Sequence, residues 1–179
     1  MRNTPRIMWA IGIAVFMLTH LLPAQEALSE HLAALQPFVG KTYKGELSMP
    51  GQEKPATDVS RWERALNGQA VRILHSLNDG EYGGETIIYW DKAKESLIFY
   101  YFTTAGFYTT GTITMEENKM ISHEFVTGNQ NGITEVKSIG EILPDGTMRG
   151  TTQYLKNGEW VDGHQATYVE DSNAEVVFK

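Results

Sequence analysis

Turn chemistry recurs in this chain about every 12 residues, and that interval limits the possible folds more than any other feature. Asn67-Gly68, Asp79-Gly80, Asp91-Lys92-Ala93-Lys94, Ala105-Gly106, Glu116-Glu117-Asn118, residues 129–132, Asp145-Gly146 and Asn157-Gly158 follow in order, with one longer step before Asp145. Asn-Gly and Asp-Gly pairs tolerate positive φ at both central positions, as the tight turns between antiparallel neighbours require. The segments between them are rich in Ile, Val, Thr, Tyr and Phe, as in Thr86-Ile87-Ile88-Tyr89-Trp90 and in 97–102. Those are strand compositions. The rhythm predicts about ten strands, at 41–49, 57–66, 69–78, 83–91, 96–104, 107–115, 119–127, 134–143, 147–155 and 159–169. So many consecutive hairpins twist strongly, and closure hides the backbone of the edges. The expected fold is therefore all-β, a single antiparallel up-and-down β-barrel over 38–170. A β-sandwich is the alternative, but it would need longer crossovers.

Two segments flank the meander. Ala27, Leu28, His31, Leu32 and Leu35 recur at helical spacing and predict a short helix over 25–37, stopped by Pro37. A helix this short needs tertiary support, so its apolar stripe is expected across one barrel mouth. The tail 171–179 holds the β-prone Val176-Val177-Phe178, which either pairs back or hangs free.

The first residues have the layout of a secretory signal peptide over 1–24. Arg2 and Arg6 precede a run, 7–22, that is apolar apart from Thr19 and His20, and Leu22-Pro23-Ala24 offers a cleavage point before Gln25. An uncleaved anchor is the alternative, although the 16-residue run is shorter than the roughly 20 residues of a comfortable span. The expectation is a periplasmic or secreted protein with no membrane partner after cleavage. Cys is absent, so neither disulfides nor a lipid-bearing cysteine enter the fold. Removing Arg2 and Arg6 from the 15 basic residues leaves 13 against 22 acidic ones, a net charge of −9. With no basic stripe, such a chain is not expected to bind nucleic acid or an anionic membrane.

Function depends on what fills a barrel. The chain carries 4 Trp, 8 Tyr and 7 Phe, enough to line a ligand slot as well as to pack a core. Along the second strand Trp62 and Arg64 share a face, either to meet a carboxylate or polarised oxygen on a ligand or to close the barrel end. His123 shares a face with Phe125 and is expected inward, and His164 sits between Gly163 and Gln165. The candidate ligand-binding residues are Tyr43, Trp62, Arg64, Trp90, Tyr101, His123 and His164. No histidine pair has metal-ligand spacing, so no metal site is expected. Gly83-Gly84 and the 128–132 loop lack the lysine and helix of a phosphate cradle and read as turns or bulges. Gly-x-Ser-x-Gly and a cysteine nucleophile are both missing.

Phe38-Val39-Gly40-Lys41-Thr42-Tyr43-Lys44-Gly45, Arg61-Trp62-Glu63-Arg64-Ala65-Leu66-Asn67-Gly68 and Asn78-Asp79-Gly80-Glu81-Tyr82-Gly83-Gly84-Glu85 stand in succession. With Phe102 to Gly111 and Gly128 to Gly132, they resemble a bacterial family of exported lipocalin-like (calycin-type) proteins across roughly 35–170. The resemblance implies a calycin barrel and brings no activity with it. It extends distantly to nitrobindin-type barrels, which open with Gly-x-Trp-x-Gly and bind haem through a histidine near the mouth. Here Gly40 to Gly45 is one residue longer, and the Gly-x-Trp with which lipocalins open is not matched, Gly40 being followed by Tyr43 with no tryptophan at the expected place. No cofactor is carried over, haem being the one to consider. The leading reading is a non-enzymatic binder of a small, partly apolar molecule. The alternatives are a cavity isomerase, cyclase or hydrolase using His123 or a buried Glu, and a structural module with a packed interior.

Overall fold

The residues that carry the turns adopt the conformations their chemistry favours. Asn67, Asp79 and Asn157 sit at φ of 52°, 57° and 53°, each followed by a glycine that is also at positive φ. The computed structural model describes residues 27–128 and 131–179; the segment read as a signal peptide, and Asn129-Gln130 of one turn, lie outside them.

Among the described residues ten strands follow one another: β1 (Thr42–Ser48), β2 (Ala56–Ala65), β3 (Ala70–Leu77), β4 (Tyr82–Asp91), β5 (Ser96–Thr103), β6 (Tyr108–Glu116), β7 (Lys119–Thr127), β8 (Ile133–Ile142), β9 (Met148–Lys156) and β10 (Glu159–Glu170). Every boundary falls within one residue of the position expected from turn spacing. Each strand pairs antiparallel with its sequence neighbours, and β1 pairs with β10, so the sheet is a closed barrel. Closure leaves no edge strand exposed.

The N-terminal helix is shorter than 25–37: a 3-10 helix spans Glu30–Leu35. Leu28, Leu32 and Leu35 are buried with Phe38, Val39, Tyr43 and Trp62, which closes one end of the barrel. The Ser29 N–H donates to Gly68 O at 2.8 Å, anchoring the helix start to the β2–β3 turn. This packing supplies the tertiary support that so short a helix lacks by itself. No described helix is long and apolar enough to cross a membrane.

The tail packs on the outside. Val177 N–H donates to Ser76 Oγ at 3.1 Å, and a side chain at Gly83 would press on the Phe178 ring. Ser76, on the outward face of β3, is consequently buried.

Candidate functional site

Period-two alternation gives each strand an inner face. Asp58, Ser60 and Trp62 of β2, His75 of β3, Tyr82 of β4, Tyr101 of β5, Thr109 of β6 and Glu124 of β7 all line one internal cavity of about 440 Å³. By strand register this interior is layered. Next to the helix-closed end lies an apolar floor of Trp62, Ile73, Ile88, Phe99, Ile113 and Met120. A belt of polar side chains comes next, and then an apolar rim that includes Leu47, Met49, Phe107 and Ile133.

Close cross-strand packing shapes these walls. A Cβ on Gly45 would sit 2.8 Å from Cδ1 of Tyr168, and one on Gly111 would sit 2.8 Å from Cε1 of Phe99. Glycine at these positions lets each ring lie flat against the neighbouring strand instead of filling the centre. Gly140 and Gly150, paired across β8 and β9, leave a stretch of cavity wall without side chains.

The belt is joined by hydrogen bonds. Asp58 is buried, and its carboxylate can only accept. His75 Nδ1–H donates to Asp58 Oδ1 at 3.3 Å, and the Tyr168 hydroxyl donates to Oδ2 at 2.6 Å. That assignment leaves His75 Nε2 to accept from the Tyr101 hydroxyl at 2.6 Å, and the Tyr101 oxygen to accept from Tyr82 at 2.9 Å. Burial pushes the Tyr101 and Tyr168 phenols far above the ordinary tyrosine range, and the charges of Tyr82 and Asp58 respectively add to the effect. Both remain neutral donors.

A second polar station lies across the cavity. Thr109 Oγ1 donates to Glu124 Oε2 at 2.9 Å. Burial pushes the Glu124 carboxyl up to about 7, against the weaker opposing pull of the Thr109 hydrogen bond and the His123 charge. A third station is His164, held at a bulge where β10 runs one residue longer than β9 between Asp162 and Gln165. Bulges re-aim side chains, and this one sets the His164 ring beside Tyr154. The backbone N–H of His164 donates to the Tyr154 oxygen at 3.4 Å, so the phenol proton goes to Nδ1 at 2.5 Å, leaving Nε2 as the protonated nitrogen. Desolvation holds the imidazole down to about 4.

The sequence-derived candidates divide between cavity and wall. Trp62, Tyr101 and His164 line the cavity. Trp62 also stacks on Phe38, and its buried indole Nε1–H has no hydrogen-bond partner among the described residues. Tyr43 belongs to the packed core at the closed end, where burial and then the Glu170 charge push its phenol up to about 12. Trp90 stacks on His31 at 4.0 Å, covered by the N-terminal segment. Arg64 does not reach the cavity; its Nε donates to Ala27 O at 3.2 Å, tying that segment to the barrel end.

His123 must be moved from the inner face to the outer one. Ser122 and Glu124 take the inward positions on β7, while His123 bonds Glu135 Oε2 through Nε2 at 2.6 Å and packs against Phe125 and Trp160. The Phe125 beside it is half exposed, so an aromatic neighbour did not mark the interior. Asp58, His75, Tyr82 and Glu124 were missed as candidates. For Asp58, His75 and Glu124 the signal was parity, each lying two residues from an inward apolar side chain, as His75 does between Ile73 and Leu77; Tyr82 has only Gly80 and Gly84 at that spacing. Among the described residues no group of three or more His, Asp or Glu could hold a metal ion.

No family model matches the chain, and no curated protein matches it. Among solved structures it is similar to Rv2717c from M. tuberculosis, at 12% sequence identity and a TM-score of 0.61, over 80% of this chain and 99% of that one. At that identity the likeness is one of fold: a closed antiparallel barrel, consistent with a calycin-like architecture.

Proposed function

We propose that this chain binds a small, partly apolar molecule inside its barrel, outside the cytoplasm, and that it belongs with lipocalin-like carriers of calycin type. The observation that supports this most is the layered interior, an apolar floor beneath a polar belt around about 440 Å³ of open space. Such a space suits a ligand with a greasy body and one polar end. For scale, an apolar cavity of roughly 150 Å³ accommodates benzene. The open space supports this reading over a structural module with a packed interior. The acidic net charge also disfavours nucleic acid as a partner, in keeping with this reading.

Native mass spectrometry of protein purified from its own host tests the proposal, followed by a panel of lipids, haem and hydrophobic dyes. A co-purified small molecule, or saturable binding from the panel, is the expected result; a bare protein that takes up nothing would overturn it. The reading needs no cofactor. Haem belongs in the panel because His164 lines the cavity; its Nε2 would ligate iron in the other tautomer, with Nδ1–H donating to the Tyr154 oxygen.

One observation favours a second reading, catalysis in the same cavity. Glu124, with its carboxyl near 7, would exchange a proton at neutral pH, and the Tyr82 oxygen, at the end of the Asp58–His75–Tyr101–Tyr82 chain, would stand as an oriented acceptor. Glu124, rather than His123, is then the base of an isomerase, cyclase or hydrolase. Turnover of an enolisable ketone or a lactone that disappears in Glu124→Gln would support it; equal turnover in the variant would dismiss it.

A further inference from the structure

We propose that the ligand of this cavity is a protonated amine, its ammonium head seated on Glu124 and its compact apolar body reaching the Trp62 floor. The proposal rests on the binding reading above and names the chemical class that the site selects.

The Glu124 carboxyl is half satisfied. Oε2 accepts from Thr109, whereas Oε1 carries no hydrogen bond among the described residues. By contrast, Asp58 has both oxygens occupied, by His75 and Tyr168. A desolvated carboxylate with one open oxygen calls for a charged donor, and charge-assisted bonds are roughly twice as strong as neutral ones. The described residues of the wall supply no such donor. Among the described residues that line the cavity there is no lysine, and the one arginine, Arg149, is exposed and alternates outward on β9. His75 is committed to Asp58 and Tyr101, and His123 to Glu135 on the far side of β7.

The rings near Glu124 fit a cation as well. Tyr82, Tyr101 and Tyr154 line the same cavity as Glu124. Aromatic rings in a cavity attract an ammonium group through their faces, which suits a cation more than an anion there. An anionic head would instead meet Asp58 and Glu124 together. A neutral hydroxyl would leave the Glu124 charge without a counterion. An amine donates three hydrogen bonds and cancels the charge.

The test compares three chain-matched probes, hexylamine, 1-hexanol and hexanoate, by isothermal titration of the full barrel at pH 8. Hexylamine is expected to bind at least tenfold tighter than hexanol, with hexanoate weakest, and Glu124→Gln is expected to bring amine and alcohol within about twofold. Equal binding of amine and alcohol by the unaltered protein would overturn the amine assignment while leaving the cavity reading intact. So would an amine preference that survives Glu124→Gln. Failure of all three probes would overturn the binding reading and this one with it.

Should the variant fail to fold, the pH series on the unaltered protein decides. The ionisable groups around Glu124 are Asp58, His75, Tyr82, Tyr101, Tyr154 and His164 across the cavity, with His123 behind it. Of these, the phenols remain neutral over this range and His164 takes up its proton only near 4. Hexylamine affinity should therefore climb about tenfold from pH 6 to pH 8 as the carboxyl ionises near 7, while hexanol stays within about twofold. A flat amine profile would overturn the assignment.

Discussion

His75 Nε2 lies 2.6 Å from the Tyr101 hydroxyl while its Nδ1 faces Asp58 Oδ1 at 3.3 Å, so a single imidazole joins β2, β3 and β5 across the interior. The partner of this histidine is itself buried, and it also accepts the Tyr168 hydroxyl at 2.6 Å. Replacing Asp58 by Ala strands two donors inside the barrel, and each unsatisfied group costs about 1–3 kcal/mol. Urea unfolding of Asp58→Ala should accordingly show a loss of about 3 kcal/mol, whereas Tyr168→Phe should lose about 1 kcal/mol.

Two interior groups drive stability in opposite directions with pH. Folded Glu124 keeps its proton up to about 7, against an ordinary value of 4.5, so between those values the native state holds the extra proton and stability falls as pH rises. His164 is the reverse. Its folded imidazole refuses a proton down to about 4, against an ordinary 6.5, so over that range stability falls as pH drops. Each difference corresponds to at most on the order of 3 kcal/mol. Where the two ranges overlap, from 4.5 to 6.5, they nearly cancel. Urea midpoints of Glu124→Gln should therefore drop steeply from pH 6.5 to 4.5, while the unaltered protein stays nearly level there.

The bare wall at Gly150 is a place to fill the cavity. A Cβ there meets nothing within 4 Å. Gly150→Val should raise stability by about 1 kcal/mol, because valine favours strands and loses less backbone freedom on folding than glycine. The same variant should weaken hexanol or hexylamine binding several-fold, measured by the same titration. Unchanged affinity would mean that the ligand does not use this part of the interior.

Trp62 separates packing from hydrogen bonding. Its indole Nε1–H is buried without a partner among the described residues, so replacing the indole by phenyl forfeits no hydrogen bond there. Trp62→Phe should cost no more than about 1.5 kcal/mol, whereas Trp62→Ala should cost about 3–5 kcal/mol from the void it leaves. Thermal unfolding of the two variants provides the comparison.

His123 lies outside the barrel, where its ring stands beside Glu135, Phe125 and Trp160. His123→Gln should leave hexanol affinity within about twofold, while Tyr101→Phe, which removes a hydroxyl from the belt, should alter the affinity of head-bearing probes.

The barrel was legible because its turns are spelled in residues with few other uses: Asn67, Asp79 and Asn157 all take the positive φ their type tolerates. Strand boundaries followed from that rhythm alone. Which face points inward did not follow, because this sheet is aromatic on both sides. Tyr100, Phe102, Tyr108 and Phe125 are exposed, and neighbours among them pack ring to ring on the outer surface of β5 and β6. Aromatic content therefore misplaced His123, whereas small and polar partners at two-residue spacing would have placed Asp58 and Glu124 correctly. The remainder of the belt depends on cross-strand distances. Asp58 and Tyr168 are 110 residues apart in sequence, and only closure between β1 and β10 brings them together. Arg64 presented the opposite case, a residue whose alternation fits the interior but whose guanidinium is used to hold Ala27.

The most direct test of a ligand-accepting interior is a methyl NMR titration of the folded protein with 1-hexanol. Methyl signals of Ile73, Ile88, Ile113 and Val136, which face the cavity, should shift saturably, while those of the outward Val59 and Val169 stay still. Saturable shifts confined to outward methyls, or no saturable shift at any inward methyl, would contradict it.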